Sequence, residues 1–196
     1  MIRRTIQLVV SCVVLGVGVA LLLSAALGSD GYSTLVNGLT LSLDVPFWAV
    51  NTVVALLLVA MAWARGITPG PGTIVQPVIV GITVSVVLSL LPTSSDLAVR
   101  IAELGLAFVL VSVGVAAYLV SDMGAGAAEA AALAWDPPLA FRWSYTVVQV
   151  SGALVGWLMG AAVGPGTVLV VLLIGPTVDV LQRSLFQRHP APRPAQ

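Results

Sequence analysis

Six apolar runs dominate the 196-residue chain, at about residues 6–27, 46–64, 72–91, 97–120, 141–160 and 165–182, and each is bounded by Gly, Pro, Asp or Arg. A predominantly apolar helix of about 20 residues is long enough to cross the hydrocarbon layer. The pattern therefore predicts an all-α transmembrane protein, a six-helix bundle that uses nearly the whole chain. Two of the intervening segments are not ordinary loops. Residues 29–44 carry Leu35, Leu39 and Leu43 at helical spacing, with Asn37 and Gly38 between them. Residues 126–135 are alanine-rich, carry Glu129 and run into Asp136-Pro137-Pro138. Both read as short helices after spans one and four, either re-entering the bilayer or lying on its interface.

The apolar pattern also repeats. Shifting the sequence by 94 positions lays Phe47 on Phe141, Trp63 on Trp157, and Gly66 on Gly160. The same shift lays Gly70-Pro71-Gly72-Thr73 on Gly164-Pro165-Gly166-Thr167, and Gly81 on Gly175. Upstream the shift becomes 96, with Gly18-Val19-Ala20 on Gly114-Val115-Ala116 and Gly28 on Gly124. Aligned valines arise by chance in apolar sequence; Gly-Pro-Gly-Thr, Trp and Gly in one register do not. The division expected is a first three-helix repeat over 1–92, a second over 93–185, and a disordered cytoplasmic tail over 186–196. Three is odd, so the second unit enters from the opposite face, as in the inverted repeats of many secondary transporters. Duplication that merely builds a stable bundle is the plainer alternative.

Composition agrees: 59% of residues are hydrophobic, 8% are charged, and mean hydropathy is +1.08. Soluble domains carry about a quarter charged residues. The net charge is zero and lysine is absent, so no basic patch for nucleic acid exists. Arginine placement sets orientation. Arg3, Arg4, Arg65, Arg142, Arg183, Arg188 and Arg193 share one side of six alternating spans, and Arg100 takes the other. Both termini are thus expected in the cytoplasm of a bacterial inner membrane. The N-terminal run, ending in Ser24-Ala25-Ala26, could be read as a signal peptide, but it exceeds the usual apolar stretch of about 7–15 residues. Its end also recurs downstream, so retention as the first span is expected.

Chemistry-bearing residues are few. Cys12 lies inside an apolar run and His189 in the Pro-rich tail, with no partners for a disulfide or metal site. No Ser/His, Cys/His or paired-Asp constellation occurs, so neither enzymatic activity nor a cofactor is expected. Polar residues within spans are the functional candidates: Asn51, Gln76, Ser85, Glu103, Tyr145, Gln149 and Asp179. Glu103 follows Arg100 by three residues and Asp179 precedes Arg183 by four, spacings that pair charges on one helix face. Asn51, Gln76 and Gln149 read first as interhelical hydrogen-bonding groups. The repeated Gly-Pro-Gly-Thr opens two spans with a close-approach glycine, a first-turn proline and a capping threonine. Such an N-terminus attracts anions, though the same residues make an ordinary turn. Pro77, Gly81 and Gly175-Pro176 are expected to interrupt those two helices. Gly152, Gly156 and Gly160 form a stripe for close helix packing, within the bundle or at a homodimer face.

At these residues the chain resembles the YczE/YyaS/YitT-type bacterial membrane proteins. The likeness rests on Leu27-Gly28-Ser29-Asp30-Gly31-Tyr32 with Leu35 and Asn37-Gly38-Leu39, and on Pro69-Gly70-Pro71-Gly72-Thr73 with Gln76 and Gly81. It continues in Gly156-Trp157-x-x-Gly160, Gly164-Pro165-Gly166-Thr167 and Gly175-Pro176. The chain departs from that pattern at Gly31-Tyr32, at Gly126-Ala127-Ala128-Glu129, at Ser85, and at Tyr145 and Gln149. The resemblance implies a bacterial membrane location and this architecture. With the repeat, it leads to an expected small-molecule transporter or permease whose site lies between the halves. The residues expected there are Asp30, Asn37, Gln76, Glu129 and Asp179, with Gly70, Gly72, Thr73, Gly164, Gly166 and Thr167. A substrate-binding subunit of a larger transporter, or an accessory protein, is the alternative.

Overall fold

The computed structural model describes residues 2–91, 94–136 and 138–185, with the side chains of Arg142, Asp179 and Leu185 outside the described set. The tail over 186–196, with Arg188, His189 and Arg193, also lies outside it. The described residues form eight α-helices and no strand: α1 (Ile2–Ala25), α2 (Gly31–Leu43), α3 (Phe47–Ala64), α4 (Pro71–Leu90), α5 (Leu97–Val120), α6 (Ala127–Leu133), α7 (Phe141–Leu158) and α8 (Pro165–Leu185). Among them, α1, α3, α4, α5 and α8 are long and apolar enough to cross a membrane, which makes five of the six expected spans. Helix α7 has 18 residues but falls short in apolarity, because Arg142, Tyr145 and Gln149 sit along it. Large apolar side chains such as Leu57, Trp63, Leu90, Leu158 and Leu172 face outward. An apolar exterior of that extent suits lipid rather than water. This is a multi-pass membrane protein.

Helix ends follow local chemistry. Asp30 caps α2 by accepting the Ser33 N–H at 3.0 Å, and Asp96 caps α5 by accepting the Ala98 N–H at 2.8 Å. Thr73 Oγ1 accepts the Gly70 N–H at 3.2 Å, and Thr167 Oγ1 accepts that of Gly164 at 3.4 Å. Gly66 and Gly160, at φ 91° and 96°, end α3 and α7 in the left-handed conformation that glycine adopts without strain.

Helices α1 and α5 cross antiparallel at the centre. Gln7 of α1 donates to the Ala117 carbonyl at 3.0 Å, while Arg100 of α5 reaches the Ala25 and Ala26 carbonyls at 2.6 and 2.8 Å. Backbones nearly touch between: a Cβ on Gly18 would lie 2.8 Å from the Val111 nitrogen, and one on Gly114 2.8 Å from that of Leu15. Helix α4 packs on α1, α8 on α5, and α3 on α4. The buried core along these crossings includes Leu8, Cys12, Leu22, Val84, Val111 and Val170.

Two expectations are corrected here. Helices α4 and α8 run unbroken through Pro77 and Pro176. Gly81 admits α3 instead: a Cβ there would sit 3.1 Å from the Trp48 Cα. The Arg100–Glu103 ion pair does not form. Arg100 is spent on the open carbonyls ending α1, where a cation is favoured, and the buried Glu103 Oε2 has no hydrogen-bond partner. The Asp179–Arg183 pair lies outside the described residues.

Candidate functional site

The short helices define the site through their register. Helix α2 lies along the C-terminal half of α7 and runs in the same direction. Gly31 sits against Gln149 and Gly152 in the middle of α7, Gly38 against Gly156, and Ser42 donates to the Met159 carbonyl at 2.9 Å. Backbone approach is so close that a Cβ on Gly38 would stand 2.5 Å from the Gly156 oxygen. The glycine stripe of α7 is thus used within the chain at Gly152 and Gly156, whereas Gly160 faces open space. Helix α6 lies along α3 in the same way. Ala127 clusters with Ala55 and Val59, Ala130 and Ala134 cluster with Ala62, and Arg65 donates to the Ala134 carbonyl at 2.6 Å. Each short helix therefore starts beside the middle of a long one and ends near that helix's end.

Those two starts carry the acids. Asp30 is the N-cap of α2, and Glu129 lies in the first turn of α6. Both are half-buried and within electrostatic reach of each other. The Tyr118 hydroxyl lies beside Glu129, and Tyr32 and Tyr145 are within electrostatic reach of both acids. Arg4 lies near Asp122, Arg65 at Ala134 and over the Trp135 ring, and Arg100 at the end of α1, while Arg3 and Arg183 are exposed.

A hydrogen-bonded chain frames the acids. Tyr145 OH accepts from Gln149 Nε2 at 2.7 Å, and Gln149 Oε1 accepts the Tyr32 N–H at 3.1 Å. The Tyr32 hydroxyl donates to Asn51 Oδ1 at 2.9 Å, and Asn51 Nδ2 donates to the Pro77 carbonyl at 2.6 Å. Four helices, α7, α2, α3 and α4, are tied in one line. Asn51 and Gln149 have the interhelical role read from sequence. Tyr118 departs from this satisfaction. It is 2% exposed, and its hydroxyl faces the Glu129 carboxyl just beyond hydrogen-bond geometry, both it and Glu129 Oε2 crowding the place a Cβ on Gly126 would take.

The remaining expected residues lie elsewhere. Gly72 N–H donates to the Met123 carbonyl at 2.7 Å, and Gly166 N–H to the Leu27 carbonyl at 2.9 Å. Thr73 and Thr167 lie against Gly124 and Gly28. The Gly-Pro-Gly-Thr starts are thus closed by the loop after the first helix of the other half, with Gly70 and Gly164 packed against the same loops. Asn37 lines a water-sized space of about 10 Å³ with Gly28, Ser29 and Ala162. Gln76 is half-buried on α4 without a hydrogen bond among the described residues. The Asp179 side chain lies outside them.

The whole of this arrangement falls within one family match, over residues 2–183. The chain belongs to a family of unknown function (DUF6198). It is also similar to an uncharacterized protein of Haemophilus influenzae, 25% identical over 170 residues, which covers 85% of this chain and 77% of that protein. No solved structure matches the chain. Tyr118 escaped the sequence reading because a tyrosine near an apolar helix end is ordinary, and only the fold brings its hydroxyl beside Glu129.

Proposed function

We propose that the protein is a small-molecule permease of the bacterial inner membrane, built from two inverted three-helix repeats with its site where α2 and α6 begin. Several features support the inversion. The equivalent helices α1 and α5 are antiparallel, α2 packs on α7 as α6 packs on α3, and the two Gly-Pro-Gly-Thr starts are closed by equivalent loops. In this reading α7 is the sixth span, its polar residues facing α2 and α6. The short helices are re-entrant, each reaching mid-depth beside α7 or α3. Likeness to the YczE/YyaS/YitT-type proteins fits the same plan.

The single observation that carries the function is that each short helix opens on an acid, Asp30 at the start of α2 and Glu129 in the first turn of α6, beside the middle of a long helix. Ionisable groups inside a bundle are costly and mark substrate or ion routes. Helices that begin at mid-depth between inverted repeats are where secondary transporters place their sites. Purified protein in proteoliposomes, screened by solid-supported-membrane currents against small amines, amino acids and carboxylates, should respond to one of these classes. The Asp30→Asn variant should lose that current while keeping its melting temperature. Silence of the wild type across all three classes, or an undiminished current in the variant, would overturn the reading. In a second reading, a shallow open depression on the outer face of α3 and α4, lined by Trp48, Ile82, Ser85, Val86 and Ser89, is where a partner helix would dock. There the chain is the membrane subunit of a larger assembly.

A further inference from the structure

We infer that the protein exchanges between two conformations in which its repeats swap roles, and that this structure is the one closed where α1 ends and open where α1 begins. In the proposed orientation that state is open to the cytoplasm. The inference deepens the permease reading, and rests on it only for the purpose of the exchange, which is to open the site to each face in turn.

Repeat-equivalent arginines behave differently at the two ends. Where α1 stops, Arg100 grips the Ala25 and Ala26 carbonyls at 2.6 and 2.8 Å. The shift of 96 that relates α1 to α5 lays Arg4 on Arg100, and Ala25-Ala26 on Ser121-Asp122. The receiving turn is the same in both places, since Ala26 and Asp122 both adopt a positive φ, 49° and 57°. Yet among the described residues Arg4 reaches only the Asp122 carboxylate, at 3.9 Å, with both side chains largely exposed. One turn holds its cation and the other does not.

The later helices repeat the contrast. At the start of α3 the Trp48 N–H donates to Ser85 Oγ at 3.0 Å, Phe47 is 4% exposed, and a Cβ on Gly81 would lie 3.1 Å from the Trp48 Cα. The shift of 94 makes Phe141 and Gly175 the counterparts on α7 and α8. Phe141 is 37% exposed, and nothing lies within 4 Å of a Cβ on Gly175. Among the described residues, α7 and α8 lack the packing that joins α3 to α4. Helix α6 ends beside the end of α3, so α7 starts at the end opposite the start of α3. Both loose contacts therefore fall at one end of the molecule and both tight ones at the other. A glycine inside a helix costs about 1 kcal/mol relative to alanine. Gly81 offsets that by admitting α3, whereas Gly175 gains its use only when α7 arrives. The second conformation thus has Arg4 on the Ser121 and Asp122 carbonyls and α7 seated at Gly175, with Arg100 released and α3 lifted from Gly81.

Spin-label distances on the full chain in lipid, without solute, read the exchange. Labels at Val53 and Val86 span α3 and α4, and labels at their counterparts Val147 and Val180 span α7 and α8; all four side chains face outward. In the wild type the α7–α8 separation should exceed the α3–α4 one. Arg100→Gln should raise the ratio of short to long α7–α8 separations about tenfold, the effect of losing roughly one charge-assisted hydrogen bond, with long α3–α4 separations rising in step. Gly81→Ala, which presses on Trp48 and Asn51, should move both pairs the same way and serves if Arg100→Gln does not fold. Adding Gly175→Leu to either variant should abolish the short α7–α8 separations. Separations that keep their wild-type values in both Arg100→Gln and Gly81→Ala would overturn the inference. So would α3–α4 lengthening without α7–α8 shortening, which would make the asymmetry permanent. Exchange without transport currents sinks the permease reading alone, and currents from a protein whose two pairs never exchange sink the present inference alone.

Discussion

Glycine 156 shows how far one missing side chain shapes this molecule. A Cβ there would collide with the Thr34 carbonyl, because α2 and α7 touch backbone to backbone at that point. Gly105, also in a helix, has nothing within 4 Å of where its Cβ would go. The same substitution should therefore act oppositely at the two sites. Gly156→Ala should destabilise by about 1–3 kcal/mol, the usual cost of overpacking. Gly105→Ala should be neutral or stabilise by up to about 1 kcal/mol through helix propensity. Melting temperatures of both variants in one detergent check this. Equal shifts would mean that α2 does not sit on α7 as described. The acids obey the same residue-scale logic, since their neighbours, not their identity, set their behaviour: Asp30 is held by the Ser33 N–H, while Glu129 has an unsatisfied hydroxyl beside it.

At the scale of elements, helix ends organise the packing. The carbonyls closing a helix lack intrahelical partners and carry partial negative charge. Arg100 reaches Ala25 and Ala26 at the end of α1, and Arg65 reaches Ala134 at the end of α6 and covers Trp135 at 4.1 Å. These arginines do what a C-terminal cap does, from another helix. The exposed Arg4–Asp122 pair, at 3.9 Å, has side chains 57% and 71% exposed and should contribute little. Arg100→Gln should lower stability by about 1–3 kcal/mol, the range for hydrogen bonds from charged donors, toward the low end because the guanidinium is partly exposed. Arg4→Gln should leave the melting temperature unchanged. A ranking of the two in the opposite order would show that the α1–α5 crossing is not fastened at the Arg100 end.

At the scale of the molecule, the proposed topology places the α4–α5 connection outside the cell and the end of α8 inside. Ser95 and Ser184 are exposed positions at those two ends. The native Cys12 is fully buried and gives no background. In intact cells a cysteine at Ser95 should react with a membrane-impermeant thiol reagent, and one at Ser184 should react only after permeabilisation. Labelling with the reverse pattern would invert the orientation.

The sequence by itself determined the apolar helical class and where the helical segments fall to within a few residues, and it displays the repeat on which the proposed halves rest. Apolar length, glycine and proline positions and a long-range repeat are properties of the linear chain and survive any folding. It also singled out Asp30 and Glu129, because acids are conspicuous in a chain with 8% charged residues. Which partners these residues meet was decided only in the tertiary structure. Arg100 could pair with Glu103 by helical spacing, yet the open end of α1 offered carbonyls with no other donor. Gly-Pro-Gly-Thr could present free N–H groups, yet a loop from the other half covers them. Gly152 and Gly156 could serve a second copy, yet α2 fills them first. The reason is common to all three. Short-range spacing fixes which groups need a partner, while the nearest available partner comes from a segment far along the chain, whose arrival depends on how whole helices pack.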